Sequence, residues 1–147
     1  MAHGRKRLFL VGLLCGGLLA TIAFVLALGL LGFAGFSGPV DGRAQSEALD
    51  ATREWARLAP LPSSARDLRI TKQGSSFTRT YVLEFTADPA ELSAWLTRCS
   101  GLADPKCQRT REAESVIYEF PGGGGALIGR IEHDETAGQI RVHAIWS

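Results

Sequence analysis

The sequence predicts an α+β domain carried behind a membrane-spanning helix. Three observations lead there. Residues 8–36 contain no charged side chain. Several short runs between residues 66 and 146 alternate apolar and polar side chains with the period of a half-buried strand. Asp88-Pro89-Ala90-Glu91 opens a stretch whose apolar residues recur at helical spacing. The expected architecture is an N-terminal transmembrane helix followed by a small domain, with an antiparallel sheet of about five strands and two helices on one face. The expected divisions are a cytoplasmic tail over 1–7, the transmembrane helix over 8–36, a linker over 37–44 and an extracytoplasmic domain over 45–147.

At ~1.5 Å per residue, a helix over 8–36 measures about 43 Å, against a bilayer core of roughly 30 Å. A cleaved signal peptide has an apolar region of only ~7–15 residues closed by a small-residue cleavage site. Here the late candidate Gly42-Arg43-Ala44 lies well past the apolar run, and Cys15 follows the bulky Leu13 and Leu14, unlike a lipoprotein cysteine. The run therefore reads as an uncleaved anchor. Arg5, Lys6 and Arg7 precede it, whereas mixed charges follow. The excess of cations marks the cytoplasmic side, so the domain belongs outside the plasma membrane. Gly12, Gly16 and Ala20 repeat at spacing four, a small-residue face of the kind on which membrane helices self-associate. Gly29, Gly32 and Gly35 weaken the helix near its end.

Ser37-Gly38-Pro39-Val40-Asp41-Gly42 reads as a turn-rich exit. A helix capped by Ser46 follows, with Ala48, Ala51, Trp55 and Leu58 on one face, and Pro60 and Pro62 beyond it. Arg66–Lys72 and Phe77–Thr86 form a hairpin around Gln73-Gly74-Ser75-Ser76. The second helix has Asp88 as cap, Pro89 in the first turn and Glu91 at the position of a capping box. Leu92, Trp95, Leu96 and Cys99 make its single apolar stripe, and Gly101 ends it. A surface loop leads through Cys107. Ser115–Phe120, Ala126–His133 and Gln139–Trp146 complete the strands. Setting Glu132 opposite Arg141 puts Ile131 beside Val142, Gly129 beside Ala144 and Leu127 beside Trp146, so that one face is apolar and the other carries an ion pair.

Cys99 and Cys107 are the two cysteines outside the apolar segment. Their proximity in sequence and their placement on the oxidising side predict a disulfide between them.

The chemistry of catalysis is sparsely represented. Gly122–Gly125 precedes a strand and lacks the Lys-Ser/Thr of a phosphate loop. The last hairpin turns His133 and His143 to opposite faces, so no metal site is expected, nor any other cofactor. No Gly-x-Ser-x-Gly elbow is present, and Glu112 and Glu114 lie in a polar segment. Setting aside Arg5, Lys6 and Arg7 leaves thirteen basic residues against fifteen acids, a balance without the basic stripe of a nucleic-acid binder.

Leu61-Pro62-Ser63-Ser64-Ala65, a short hairpin, Leu83-Glu84-Phe85-Thr86-Ala87-Asp88-Pro89 and a helix bearing Trp95-Leu96 together resemble uncharacterised bacterial proteins with one N-terminal membrane helix and a small extracytoplasmic α+β domain. The resemblance spans roughly residues 55–100. It implies a membrane location and carries over no catalytic residue.

The resulting expectation is a membrane-anchored extracytoplasmic binding or interaction module, a small subunit of an envelope complex, and not an enzyme. Its partners are the lipid bilayer and either a second copy or another envelope protein. The alternatives are an envelope enzyme with an unrecognised site and a purely structural membrane component associating through Gly12, Gly16 and Ala20.

Overall fold

The structure, a computed structural model, describes residues 36–147 apart from Asp41 and Ser76. The stretch expected to span the membrane, with Gly12, Gly16, Ala20 and Cys15, lies outside the described residues except for Phe36. Among the described residues no helix is long and apolar enough to cross a membrane.

The chain forms β1 (Phe36–Pro39), α1 (Arg43–Trp55), β2 (Arg66–Gly74), β3 (Arg79–Thr86), α2 (Pro89–Arg98), β4 (Gln108–Glu112), β5 (Ser115–Pro121), β6 (Ile128–Asp134) and β7 (Gln139–Trp146). All strands join one antiparallel sheet in the order β1-β2-β3-β7-β6-β5-β4. The α+β class and the antiparallel sheet agree with the sequence reading, but the sheet has seven strands rather than about five. The two additions are its edges. β1 occupies the end of the expected membrane segment and part of the expected linker; β4 follows the expected surface loop, in a polar stretch for which the sequence predicts no element. Every residue of β4 is exposed, so no apolar alternation marks it.

Alternation along the strands gives the sheet two different faces. Ile70, Leu83, Val142, Ile131 and Tyr118 lie in one cross-strand row. Both helices cover that face, with Ala48, Leu92, Trp95, Leu96 and Cys99 packed into the same core as Ile70, Leu83 and Val142. Trp95 is fully buried, sits edge-on to Phe85 with ring centroids 5.4 Å apart, and donates its indole N–H to the Ala59 carbonyl at 3.2 Å. Fully burying a side chain of this size contributes on the order of 1.5–3 kcal/mol.

The helix ends depart from local sequence rules. α1 begins three residues before Ser46, whose hydroxyl donates to the Arg43 carbonyl rather than capping. It stops at Trp55, well before Pro60, and Arg57 adopts a left-handed φ of 50°. The Arg57 guanidinium then pairs with Asp104 at 2.6 Å and holds the Asp104 carboxyl below its usual range. At α2 the Asp88 side chain makes no cap bond. Glu91 does not reach back either: it accepts from the Ser63 and Ser64 hydroxyls at 3.0 Å and from the Ser64 N–H at 3.1 Å. These donors hold the Glu91 carboxyl below its usual range, the Ser64 backbone most strongly. The capping box is thus replaced by a clasp between the 60–65 loop and the start of α2.

The antiparallel register sorts the connections between two ends. At the end where β1 enters are Phe36, paired with Gly74, the 75–78 turn, the 122–127 loop and the close of β7 at Trp146. At the far end are the Ala113-Glu114 turn, the 135–138 turn and the start of α2, where Ala87 donates to the Gly138 carbonyl at 3.2 Å.

Candidate functional site

On the face turned away from the helices, Glu84, Arg141, Glu132 and Ile117 form one cross-strand row, with Val82, His143, Arg130 and Glu119 in the next. The pairing predicted for the last hairpin is present: Glu132 faces Arg141, Ile131 faces Val142 and Gly129 faces Ala144. Leu127 and Trp146 differ from expectation. β6 begins one residue after Leu127, and both side chains are exposed rather than packed on an apolar face.

Glu132 is the hub of the open face. Its Oε1 lies 2.9 Å from Arg130 Nη2 and 3.7 Å from His143 Nε2, and its Oε2 lies 4.0 Å from Arg141 Nη1. Arg141 Nε donates to Glu84 at 2.7 Å, and Arg130 Nη1 donates to Glu119 at 3.3 Å. The chain of contacts therefore crosses β3, β7, β6 and β5. Each arginine is shared between two carboxylates, which restrains the side chains more than an isolated surface pair does. Val82 and Ile117 are buried beneath this array, apart from the main core.

His143 is the most constrained group in the array. Its Nε2 is buried without a hydrogen-bond partner, as is Arg130 Nε. Burial pushes the imidazole below its ordinary value of 6.5; Glu132 opposes that shift, while Arg130 and Arg141 add to it. The balance favours the neutral ring. His133, lowered by its own burial, lies on the helix-covered face opposite Ile140. The two histidines are separated by the sheet, as their alternation implied. Among the described residues, no group of three or more His, Cys, Asp or Glu side chains could hold a metal ion.

The recesses are modest. One of about 130 Å³ lies on the open face, lined by Ser115, Glu132, Asp134, Gln139 and Arg141. Another of about 310 Å³ lies beside the end of α2, lined by Leu96, Thr97, Leu102, Ala103 and Tyr118. The first is smaller than the roughly 300–1,000 Å³ typical of small-molecule sites, and the second lacks acid–base groups that titrate near neutrality. A fixed polar surface of alternating charge suits recognition of another surface.

The glycine run packs against α1. The Gly123 N–H donates to the Trp55 carbonyl at 2.8 Å, supplying a partner for the helix C-terminus.

The structure places Cys99 and Cys107, the pair expected to form a disulfide, as unbonded cysteines. Cys99 is buried in the core with its Sγ 3.4 Å from the Ala59 N–H, whereas Cys107 is only partly buried and its Sγ lies 3.9 Å from the Gln108 carbonyl. Cys99 belongs to the core, and Cys107 packs against that same core from its edge.

The sequence places Glu132, Arg141 and His143 within one hairpin. It did not connect them to Glu84 and Glu119, because that needs the pairing of β3 with β7 and of β5 with β6. Alternating charge in both strands was the available signal. No family model, curated protein or solved structure matches this chain.

Proposed function

We propose that the chain is a membrane-tethered interaction module whose domain lies on the extracytoplasmic side and binds another envelope protein through the open face of its sheet. The observation that carries this reading is the array centred on Glu132: a preorganised set of three carboxylates, two guanidinium groups and a histidine on a face to which neither helix is packed. Charges held in fixed positions select a partner with the complementary arrangement and reject others by like-charge contact. The uncharged run over 8–36 and its basic N-terminal flank support the tether and the orientation. The small volume of the polar recess favours a macromolecular partner over a small substrate.

Site-specific photo-crosslinking in intact cells tests the reading. A crosslinking residue at Thr80 or Gln139, both on the open face, should yield a discrete protein adduct. One at Ser93 or Glu47, on the helices, should not. Glu132→Lys should weaken the open-face adduct by about tenfold, corresponding to roughly 1.4 kcal/mol of lost complementarity. Adducts from the helix positions alone would assign binding to the opposite side of the domain.

A further inference from the structure

We infer that the entry end of the sheet docks on the lipid interface of the membrane, with Phe77, Leu127, Ile128 and Trp146 entering the boundary between headgroups and acyl chains. The inference rests on the tether proposed above and adds a second membrane contact, made by the folded domain itself.

The first ground is the clustering of exposed apolar side chains. Phe77 is 75% exposed, Leu127 56%, Ile128 44% and Trp146 41%; these are four of the five large apolar residues exposed among those described. They come from three separate parts of the chain that the fold brings to one end. Trp146 pairs with Arg79 beside the turn that holds Phe77, Ile128 pairs with Ile145, and the Leu127 N–H donates to the Ile145 carbonyl at 2.8 Å. Neither the core nor the Glu132 array uses them.

The second ground is charge. The 75–78 turn and the 122–127 loop contain no ionisable residue. The far end has Glu114 in one turn, Asp134 and Glu135 at another, and Asp88 at the start of α2. Lys72 and Arg79 stand exposed near the apolar end, where they can face lipid phosphates. An aromatic and aliphatic surface flanked by Lys72 and Arg79, with Glu54 the exposed acid beside Gly124, matches the composition that seats in the interface; Trp is especially favoured there.

The third ground is connectivity. Phe36, the last residue of the uncharged run, already pairs with Gly74 at this end of the sheet. The entry end of the sheet is therefore the end at which the chain arrives from the uncharged run. The occupant fitted by these observations is a lipid surface.

The full-length chain reconstituted into phosphatidylcholine vesicles, with and without acyl-brominated lipid, tests this. Flotation reports the tether and tryptophan quenching reports the docking. Brominated lipid should quench wild-type emission, and Trp146→Phe, conservative at an exposed position, should remove the quenched component. Trp95 is buried and Trp55 packs on Tyr81, so both remain to report the folded state. Co-flotation without Trp146 quenching would overturn the docking, leave the tether intact and assign the patch to a protein partner. Quenching that persists in Trp146→Phe would likewise overturn it. Failure to co-float would overturn the tether and this inference together.

Discussion

Gly123 stands against Trp55 as a helix cap supplied from elsewhere in the sequence, its N–H meeting the Trp55 carbonyl at 2.8 Å. The approach is close enough to exclude a side chain. A Cβ on Gly123 would lie 2.7 Å from the Glu54 carbonyl oxygen and 2.9 Å from Arg57 Cγ. Gly124, with φ of 57°, would bring its Cβ within 2.8 Å of Glu54 Oε1. The glycine run is therefore a packing device between the β5–β6 connection and α1.

Gly123→Ala should lower stability by roughly 1–3 kcal/mol, the range for overpacking a site that cannot relax. Gly38→Ala supplies the control, since a Cβ there meets nothing within 4 Å. Denaturant midpoints of the two variants should differ clearly; equal midpoints would show that the loop moves off α1 without loss.

Trp95→Ala should cost about 3–5 kcal/mol. It removes the edge-on contact with Phe85 and leaves the Ala59 carbonyl without the indole donor. Chemical unfolding followed by far-UV circular dichroism measures this. A loss below about 1 kcal/mol would show that the core recloses around the missing ring.

Alkylation should distinguish Cys99 from Cys107. Burial raises the Cys99 thiol to about 11, and the Cys107 thiol is also raised, first by desolvation and then by Asp104. Higher values mean less thiolate and slower reaction. In the folded protein Cys107 should react ahead of Cys99, and Cys99 should become reactive on unfolding without reductant. Peptide mass spectrometry after maleimide labelling reads both; a reductant-sensitive Cys99–Cys107 peptide pair would show that a bond forms.

Stability should decline as pH falls below the ordinary histidine value of 6.5. His133 and His143 are both lowered in the folded state. Between the folded values and 6.5 the unfolded chain binds more protons, so stability rises with pH across that window and is fully present above it. Glu91 and Asp104 act with the same sign in a separate window, beginning from their ordinary values of 4.5 and 3.8 and extending downward. Urea midpoints at about pH 5.5 and about pH 7.5 should therefore differ for wild type and converge for His133→Gln/His143→Gln. An undiminished difference in the double variant would locate the proton elsewhere.

Legibility followed the range of each interaction. The β6–β7 register was readable because Glu132/Arg141 and Ile131/Val142 make a one-residue slip unfavourable within a single hairpin. The α2 stripe was readable because Leu92, Trp95 and Leu96 bury one face of one helix. β1 was hidden by Gly38 and Pro39, which signal a turn unless a neighbouring strand is known. β4 was hidden because both its faces meet water. Glu91 looked like a capping residue until the fold brought Ser63 and Ser64 beside it. Only part of the open-face array was visible for the same reason: Glu84 and Arg141 are 57 positions apart.

The order of strands also bears on how the domain is made. β1-β2-β3 and β4-β5-β6-β7 are two meanders, each assembled through connections between successive strands, and their only seam is β3 against β7. The hairpin connections close quickly, whereas the seam must bring together positions as distant as Glu84 and Arg141. During synthesis the first meander is complete while β3 still presents a bare edge, and that edge waits until the last strand emerges. In this interval a neighbouring nascent chain can offer its own β7 to the waiting β3. The pairing of β3 with the central strand is thus the point at which two copies can exchange halves, and the time taken to translate from β3 to β7 sets the exposure to that error.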